Sequence, residues 1–519
     1  MAHAHFPTRD RDEGGMAGPF RVLFINPPKV HEKLPTLRDE ICFQDVTYVP
    51  FPMRLATAAA QVRALPGVEA VAIDATALDM SWESLESALP AADVVVFQSA
   101  AGLIRHDMRV AELVKKKIGP HAHTILIESV VSPLYPERIL KDFPALDFIV
   151  RGQLEAIVPH LVAALSAGNA YPSEIAGLAY RDEQGLTRTT GDPQPTQNLD
   201  AIPFMAYDLF PMERYTVGLL DAMMHEPQAP GISLRTTRDC PFGCAFCIIG
   251  SSIYRGYDRR WRSMGVERTV AEIEHVVTTY GIRRFFFWDE VFTMDPRRAH
   301  KVCDEIIARG LDIEWRCLTR IDLLNEAMIE KMAKAGCRFI EFGIESGNQE
   351  ARTEMNKTFT DEKAVQIVDL VRQAGIRVNC DLIVGMPWET RESLDETIAM
   401  AKKLKADNIH LTSAFPYPGT RFHDIAEAEN LLRVDDMYEL MLDTRVRVDI
   451  LPIVRSRTLT AQELYEGWNR ARKSINRHYF VRNLLLRPRD LGNVLAGRGP
   501  RGLLGLVPKG LRFVRESLL

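Results

Sequence analysis

Three cysteines lie within one short stretch, Cys240-Pro-Phe-Gly-Cys244-Ala-Phe-Cys247. Soft thiolate ligands that follow one another so closely suit an iron–sulfur cluster. Three thiolates leave one iron of a four-iron cluster without a protein ligand. The spacing therefore predicts a [4Fe–4S] cluster whose remaining iron is open to another molecule.

The spacing, with the aromatic Phe246 before the last cysteine, resembles the signature of the radical S-adenosylmethionine (SAM) enzymes. In that family SAM binds the open iron through its amine and carboxylate, and electron transfer from the cluster cleaves its sulfonium. The resemblance implies that Cys240, Cys244 and Cys247 are the metal ligands and catalytic residues, with Phe246 as a cofactor contact.

Polar residues follow later apolar runs and extend the resemblance. Asp289 and Glu290 come directly after an apolar strand. At this position, residues of the family accept hydrogen bonds from the SAM amine. Carboxylates suit this role because they form strong hydrogen bonds with an ammonium group. The alternative for Asp289 is a helix N-cap. Arg316 and Arg320 share one face of a predicted strand, so one of them is expected to pair with the SAM carboxylate.

Two further strand ends match the family. Glu345 and Ser346, in the sequence Gly-Ile-Glu-Ser-Gly, resemble its ribose-contacting segment, since a carboxylate and a hydroxyl suit a diol. Gly385 resembles the glycine that lets the backbone approach the adenine. The sequence thus predicts a SAM site spread over several strand ends.

Alternating strands and helices must position these residues. Such a pattern predicts a partial (β/α) TIM-type barrel over residues 228–420, with its chemistry at the carboxyl ends of the strands. The predicted strands are 284–288, 313–318, 339–344, 378–384 and 408–413, and the predicted helices are 269–280, 296–309, 325–335, 361–374 and 390–405.

A second alternating pattern precedes the barrel, over residues 18–165, and predicts a doubly wound parallel sheet of the Rossmann-like type. No GxGxxG follows its first strand, so the dinucleotide-binding version has no support. Residues 26–28, Asn-Pro-Pro, and residues 150–155 resemble the cobalamin (B12)-binding domain that precedes many radical SAM domains. The resemblance implies corrin contacts at Ser99, Ser129 and Gly152.

Two departures leave an alternative open for this domain. The GGxH-like turn of the family is replaced by a stretch that contains Ser129, and the DxHxxG sequence of cobalamin mutases is absent. A doubly wound domain that binds no corrin is therefore the alternative to cobalamin binding.

The remaining segments complete the predicted organisation. Residues 1–17 are interpreted as a disordered tail, 166–227 as a connector with a small hairpin, and 421–519 as a helical, basic segment. His410 and the scattered cysteines are interpreted as core residues; these cysteines are Cys303, Cys317, Cys337 and Cys380.

The amino-acid composition limits which classes of protein this chain can belong to. The chain has 519 residues, 46% of them hydrophobic and 26% charged, which is typical of a soluble protein of two or three domains. Free cysteines predict a reducing, cytoplasmic location, and no apolar stretch reaches the roughly 18 residues that span a bilayer.

The C-terminal end is basic, because twelve Lys or Arg residues follow position 469 against two acidic residues. This end suits either peripheral contact with the inner face of a membrane or a helix that covers the acidic remainder of the protein. Nucleic acid is not an expected partner, since stacking aromatics are sparse there.

The resemblance implies a function. A 5′-deoxyadenosyl radical would abstract hydrogen from an unactivated carbon, and methylcobalamin would deliver a methyl group to it. The expected partners are a small-molecule substrate, such as a lipid, tetrapyrrole or secondary metabolite, and an electron donor such as flavodoxin or ferredoxin. The alternatives are oxidative cyclisation or rearrangement without methyl transfer and, in another class, a non-catalytic iron–sulfur electron carrier.

Overall fold

The computed structural model describes residues 18–30, 35–38, 44–46, 48–218, 229–250, 260–442 and 452–486. The strands, in chain order, are β1 (Phe20–Asn26), β2 (Thr36–Leu37), β3 (Gln44–Asp45), β4 (Val68–Asp74), β5 (Val94–Gln98), β6 (His123–Ile127), β7 (Phe148–Val150), β8 (Leu178–Arg181), β9 (Thr187–Thr189), β10 (Gly231–Leu234), β11 (Thr237–Arg238), β12 (Arg262–Ser263), β13 (Arg284–Phe287), β14 (Glu314–Thr319), β15 (Cys337–Glu345), β16 (Arg377–Val384) and β17 (Asn408–Ser413).

The α-helices, in chain order, are α1 (Met53–Val62), α2 (Trp82–Ala88), α3 (Ile104–Asp107), α4 (Arg109–Lys117), α5 (Val131–Leu134), α6 (Pro136–Asp142), α7 (Leu154–Ser166), α8 (Val266–Tyr280), α9 (Pro296–Ala308), α10 (Glu326–Lys334), α11 (Gln349–Glu354), α12 (Asp361–Gln373), α13 (Arg391–Lys403), α14 (Arg421–Ala428), α15 (Met437–Leu442) and α16 (Ala461–Leu486). The predicted tail at 1–17 lies outside the described residues.

The first sheet has the strand order β4-β1-β5-β6-β7-β8-β9. The first five strands in this order, β4, β1, β5, β6 and β7, pair in parallel. The hairpin β8–β9 then pairs with β7 in antiparallel fashion. β5 is buried along its whole length, as expected for a parallel strand covered on both faces. The strand order changes direction at β1, between β4 and β5, which is where a doubly wound sheet opens its ligand crevice.

The second sheet has the order β10-β13-β14-β15-β16-β17, and all its neighbouring strands are parallel. Helices α8 to α13 connect them. α9 begins where Asp295 accepts hydrogen bonds from the first two backbone N–H groups and Pro296 occupies the first helical position. The predicted fold class, a Rossmann-like domain followed by a partial barrel, is confirmed.

Buried hydrogen bonds from the connecting segment tie it to both domains. Tyr215 donates to Asp74 of the first domain at 2.8 Å, and Tyr207 donates to Glu272 on α8 at 2.9 Å. The hairpin β8–β9 lies within the stretch predicted as connector, so the first sheet extends into that stretch.

Of the C-terminal helices, α15 packs against the first domain, where Tyr438 donates a hydrogen bond to Asp142 at 2.8 Å, while α16 covers the barrel. The helical pattern from 423 to 442 is interrupted after α14 by Asn430, whose φ of 53° is left-handed, so α14 and α15 are separate helices. On α16, Tyr479 donates hydrogen bonds to the carbonyls of Ala401 and Leu404 at the end of α13. Arg482 likewise donates to the Ala406 carbonyl. This contact agrees with the interpretation that a basic C-terminal helix covers the rest of the protein.

The remainder of the basic segment, 487–519, lies outside the described residues, so its predicted membrane contact stays a prediction. Within the described part of the chain, no helix is both long and apolar enough to cross a membrane.

Candidate active site

A buried carboxylate shapes the strand end that leads into the cysteine loop, residues 240–247. Asp289 is fully buried and accepts hydrogen bonds from the backbone N–H groups of Thr236 (2.6 Å) and Thr237 (2.7 Å) and from the Thr236 hydroxyl (2.7 Å). It does not cap a helix, because Asp295 caps α9. Its contacts join the ends of β10 and β13, and its predicted bond to the SAM amine stays a prediction.

Backbone contacts from two neighbouring segments hold the cysteine loop. The Asn356 side chain donates to the carbonyl of Phe242, and the N–H of Ala245 donates to the carbonyl of Met355 at 3.4 Å. The carbonyl of Ala245 accepts a hydrogen bond from the N–H of Phe422 at 2.9 Å. The loop is therefore fixed by residues that follow α11 and begin α14.

Burial affects the ionisation of two of the three thiols in the loop. Burial raises the pKa of Cys240 to about 11 and that of Cys247 to about 12, so a thiolate at either position needs a compensating cation. Among the described residues, no three His, Cys, Asp or Glu side chains converge on a single metal ion. Three thiolates, each able to bind one iron, are the donor set that a four-iron cluster with one open iron would need.

Of the two arginines predicted to contact SAM, Arg320 lies beside the cysteine loop. Its guanidinium stacks 3.7 Å from the centre of the Phe242 ring, Nη1 lies 3.9 Å from Cys244 Sγ, and Asp322 binds it in bidentate fashion at 2.8 and 2.9 Å. Arg316 lies deeper in the barrel and donates to Glu341 at 2.7 Å. Arg320 is thus the one of the two that lies beside the cysteine loop, and its predicted bond to the SAM carboxylate stays a prediction.

The predicted ribose-contacting carboxylate forms an ion pair. Glu345 has a left-handed φ of 68°, and its carboxylate lies 2.9 Å from the Lys357 ammonium. Lys357 also donates to the Gly343 carbonyl at 3.0 Å, and a Cβ at residue 343 would collide with both side chains. Sequence reasoning missed Lys357, because it lies in a loop without periodicity or motif.

Ser346 and Gly385 lie at the ends of β15 and β16. The Ser346 hydroxyl accepts a hydrogen bond from the backbone of Asn348 at 3.1 Å and lies 3.2 Å from the Thr397 hydroxyl. Gly385 has a φ of 104°, which favours glycine, and the nearest neighbour of a Cβ there would be 3.8 Å away. A Cβ there would be in ordinary van der Waals contact with Ala414, and the predicted adenine contact of Gly385 stays a prediction.

The aromatic residue of the cysteine motif joins the loop to the segment after Gly385. Phe246 is half-buried and packs against a hydrophobic cluster that contains Met386. It therefore lies between the cysteine loop and the predicted adenine site.

A cleft opens between the carboxyl ends of the two sheets. It holds about 1070 Å³ of empty space, part of it open to solvent, and Ser129 and Gly152 line it from the first domain. Arg235, Thr237 and Glu290 line it from the barrel. The Thr237 hydroxyl is buried without a hydrogen-bond partner in the described structure, as expected of a group that faces a ligand.

Glu290 is the carboxylate of the predicted pair that reaches this cleft. Burial raises its pKa, and its carboxylate lies 3.6 Å from the Arg235 guanidinium. Ser99 does not line the cleft, since its hydroxyl donates to the buried Asp107 at 2.8 Å. Its predicted corrin contact stays a prediction.

Two contacts join the domains at the floor of the cleft, and neither was predicted from the sequence. Glu155 forms a buried ion pair with Arg238 at 2.7 Å, and Gln153 donates to Asp239 at 3.3 Å. Asp239 directly precedes Cys240, so the first domain contacts the start of the cysteine loop.

His410 differs from its sequence interpretation. It was expected in the core, but its side chain is 57% exposed and lies 3.4 Å from Asp381 on the neighbouring strand. Alternation with apolar residues failed as a signal because the other face of β17 lines an open barrel interior rather than a packed one. The four scattered cysteines are buried as predicted.

Comparisons with known proteins agree with this geometry. Residues 234–401 match the family model of the radical SAM superfamily. The chain is 32% identical to an uncharacterized methyltransferase of Pyrococcus horikoshii, over 80% of this chain and 85% of that one. It is 27% identical to the anaerobic magnesium-protoporphyrin IX monomethyl ester cyclase of Rubrivivax gelatinosus, over 71% of this chain and 64% of that one.

Among solved structures, the radical SAM methyltransferase TsrM from Kitasatospora setae, with cobalamin and a [4Fe–4S] cluster bound, has a similar fold. The TM-score is 0.63 at 17% identity, and the match covers 89% of this chain and 91% of that one. The similarity extends over both domains.

Proposed function

Because this chain belongs to the radical SAM superfamily, we propose that it is a cobalamin-dependent enzyme that methylates an unactivated carbon of a hydrophobic or secondary-metabolite substrate. The cleft carries this proposal, because Ser129 and Gly152 of the first domain face Glu290 and Thr237 of the barrel across it. A corrin held at the first sheet would therefore face the SAM site. The similarity to methyltransferases supports methyl transfer.

When bound, the cluster would supply the electron that cleaves SAM, and cobalamin would carry the methyl group. Cys240, Cys244 and Cys247 would bind the cluster, while Arg320 would orient the SAM carboxylate. Glu290 would accept a hydrogen bond from the SAM amine. Phe246, Glu345, Ser346 and Gly385 would hold the adenosine portion.

The test is anaerobic reconstitution with iron, sulfide and cobalamin, followed by reduction in the presence of SAM and mass analysis of the products. Methyl transfer yields both 5′-deoxyadenosine and S-adenosylhomocysteine. We expect Cys244→Ala to abolish both products, and the matched Cys303→Ala, which alters a buried cysteine outside the site, to retain them. Product formation by Cys244→Ala would contradict the cluster assignment.

One relative favours a second candidate, oxidative cyclisation without methyl transfer, since the cyclase of Rubrivivax gelatinosus is also similar over most of this chain. The same assay separates the two. Deoxyadenosine without S-adenosylhomocysteine would support cyclisation or rearrangement.

A further inference from the structure

The hydroxyl of Thr237 is a buried polar group whose hydrogen-bonding capacity the protein leaves unused. Thr237 is 1% exposed, and its Oγ1 has no hydrogen-bond partner within the described part of the chain. Buried hydroxyls are normally paired, because an unpaired one loses its hydrogen bonds to water without replacement. Thr237 also lines the cleft between the two sheets, so a ligand in that cleft can supply the missing partner.

The backbone holds this side chain in place. The Thr237 N–H donates to Asp289 at 2.7 Å, and Thr237 pairs with Ser263 where β11 meets β12. The next residue, Arg238, is held by Glu155 of the first domain at 2.7 Å. A side chain on so constrained a backbone is oriented before a ligand arrives, which reduces the entropy lost on binding.

Charged and amide side chains that line the same cleft contact other protein groups. Arg235 donates to the Trp288 carbonyl at 3.1 Å and lies 3.6 Å from the Glu290 carboxylate. Gln153 donates to Asp239 at 3.3 Å. The unpaired group beside them is a neutral hydroxyl, which suits a neutral ligand group that can donate or accept a hydrogen bond.

The opposite wall of the cleft, which belongs to the first domain, also presents a hydroxyl group. Ser129 lines the cleft there. Glu128 shapes the turn that carries Ser129, because its carboxylate accepts hydrogen bonds from the N–H groups of Val130 at 2.9 Å and Ser132 at 2.7 Å. A ligand between the two walls therefore meets a hydroxyl on each side.

Position and chemistry distinguish the two organic cofactors as partners of the Thr237 hydroxyl. The residues predicted to hold the adenosine of SAM lie at the ends of β15 and β16, whereas β10, which leads into β11, is the first strand of the sheet. Since neighbouring strands lie about 4.8 Å apart, β15 is roughly 14 Å from β10. The corrin ring carries neutral amide side chains, and an amide can donate to or accept from a hydroxyl.

We propose that the Thr237 hydroxyl forms a hydrogen bond with an amide side chain of the bound corrin, so that the barrel as well as the first domain binds cobalamin. This inference rests on the proposed function, because it adds a contact to the same cofactor site. The sequence resemblance assigned corrin contacts to the first domain alone.

Equilibrium dialysis against hydroxocobalamin tests this inference, with the full-length protein reconstituted anaerobically with iron and sulfide. Thr237→Val removes the hydroxyl, keeps the shape of the side chain and leaves the backbone N–H to Asp289 in place. We expect cobalamin to bind about five- to tenfold more weakly. Thr237→Ser keeps the hydroxyl and should bind cobalamin within about twofold of the wild type.

The melting temperature of the cobalamin-free protein separates ligand binding from a structural role. Thr237→Val should melt at or above the wild-type temperature, because it removes a buried hydroxyl that has no partner. The matched control is Thr124→Val, since Thr124 is equally buried but donates to the Ala145 carbonyl at 2.8 Å, at the amino end of β6. This control should lower the melting temperature and leave cobalamin binding unchanged.

Wild-type cobalamin affinity in Thr237→Val would overturn the inference. A lower melting temperature of cobalamin-free Thr237→Val would also overturn it, since the hydroxyl would then stabilise the fold. The same holds if a parallel dialysis against SAM shows that Thr237→Val loses affinity for SAM instead of cobalamin. If the wild-type protein binds no hydroxocobalamin, the proposed cobalamin-dependent function itself fails, whereas equal binding by the wild type and Thr237→Val overturns this inference alone.

Discussion

At the scale of single residues, two cations flank the cysteine loop. Arg320 lies 3.9 Å from the Cys244 sulfur. Burial of Lys357 opposes its ammonium form, but the charges of Glu345 and then Cys244 outweigh this effect and raise its pKa. A cluster with three thiolates gains negative charge on reduction, so nearby cations stabilise the reduced state. We infer that Lys357 raises the reduction potential of the cluster and also stabilises the end of β15 through its ion pair with Glu345.

Lys357→Met removes one partner of a buried ion pair and leaves Glu345 without its cation. We expect a loss of about 3–5 kcal/mol in the free energy of unfolding. We also expect a more negative reduction potential of the cluster, measured by spectroscopic redox titration. Lys357→Arg should keep the potential near that of the wild type.

Lys334→Met provides the matched control, since Lys334 forms an exposed pair with Glu330 on α10. Exposed pairs of this kind contribute little to stability. If Lys357→Met has the free energy of unfolding and the cluster reduction potential of the wild type, the Lys357 ammonium neither stabilises the fold nor affects the cluster.

At the scale of elements, the sequence predicted strands and helices well because both sheets are parallel. Continuous apolar runs identify such strands, as in β13, which begins at the predicted residue 284, and β17 has the predicted bounds. Caps identify helices, as Asp295 and Pro296 do for α9. Contacts between distant segments carry no such signal, so the Glu345–Lys357 pair and the Asp381–His410 contact became apparent only in three dimensions.

The turn between β16 and α13 contains a carboxyl group that should make stability depend on pH. Glu389 accepts hydrogen bonds from the Gly385 N–H and from Ser393, and burial raises its pKa to about 7. The folded protein thus binds this proton more tightly than the unfolded chain does. The contribution to stability is full below about pH 4.5 and is lost as the pH rises through about 7, up to about 3 kcal/mol.

Glu389→Gln mimics the protonated group and should reduce the fall in unfolding free energy between pH 5 and pH 8, measured by urea denaturation. Glu392→Gln is the control, because Glu392 lies exposed in the first turn of α13. A wild-type pH profile in Glu389→Gln would show that Glu389 does not titrate in this range.

At the scale of the whole molecule, function depends on how the two domains face each other. Each domain could be predicted from its own sequence pattern, but their interface could not, because Glu155 and Arg238 lie 83 positions apart and in different domains. The pair fixes the first turn of α7 against β11, directly before the cysteine loop. The distance between the corrin-binding edge and the cluster should therefore depend on this pair.

Glu155→Gln tests that dependence. The substitution leaves the buried Arg238 guanidinium without a compensating charge, and we expect a loss of about 3 kcal/mol in unfolding free energy. Looser contact between the domains should also lower the amount of cobalamin that remains bound after gel filtration, measured by absorbance per mole of protein. Glu137→Gln, on the exposed side of α6, should change neither quantity. If Glu155→Gln keeps wild-type stability and retains cobalamin fully, the domain interface does not depend on this ion pair, and the corrin site is complete within the first domain.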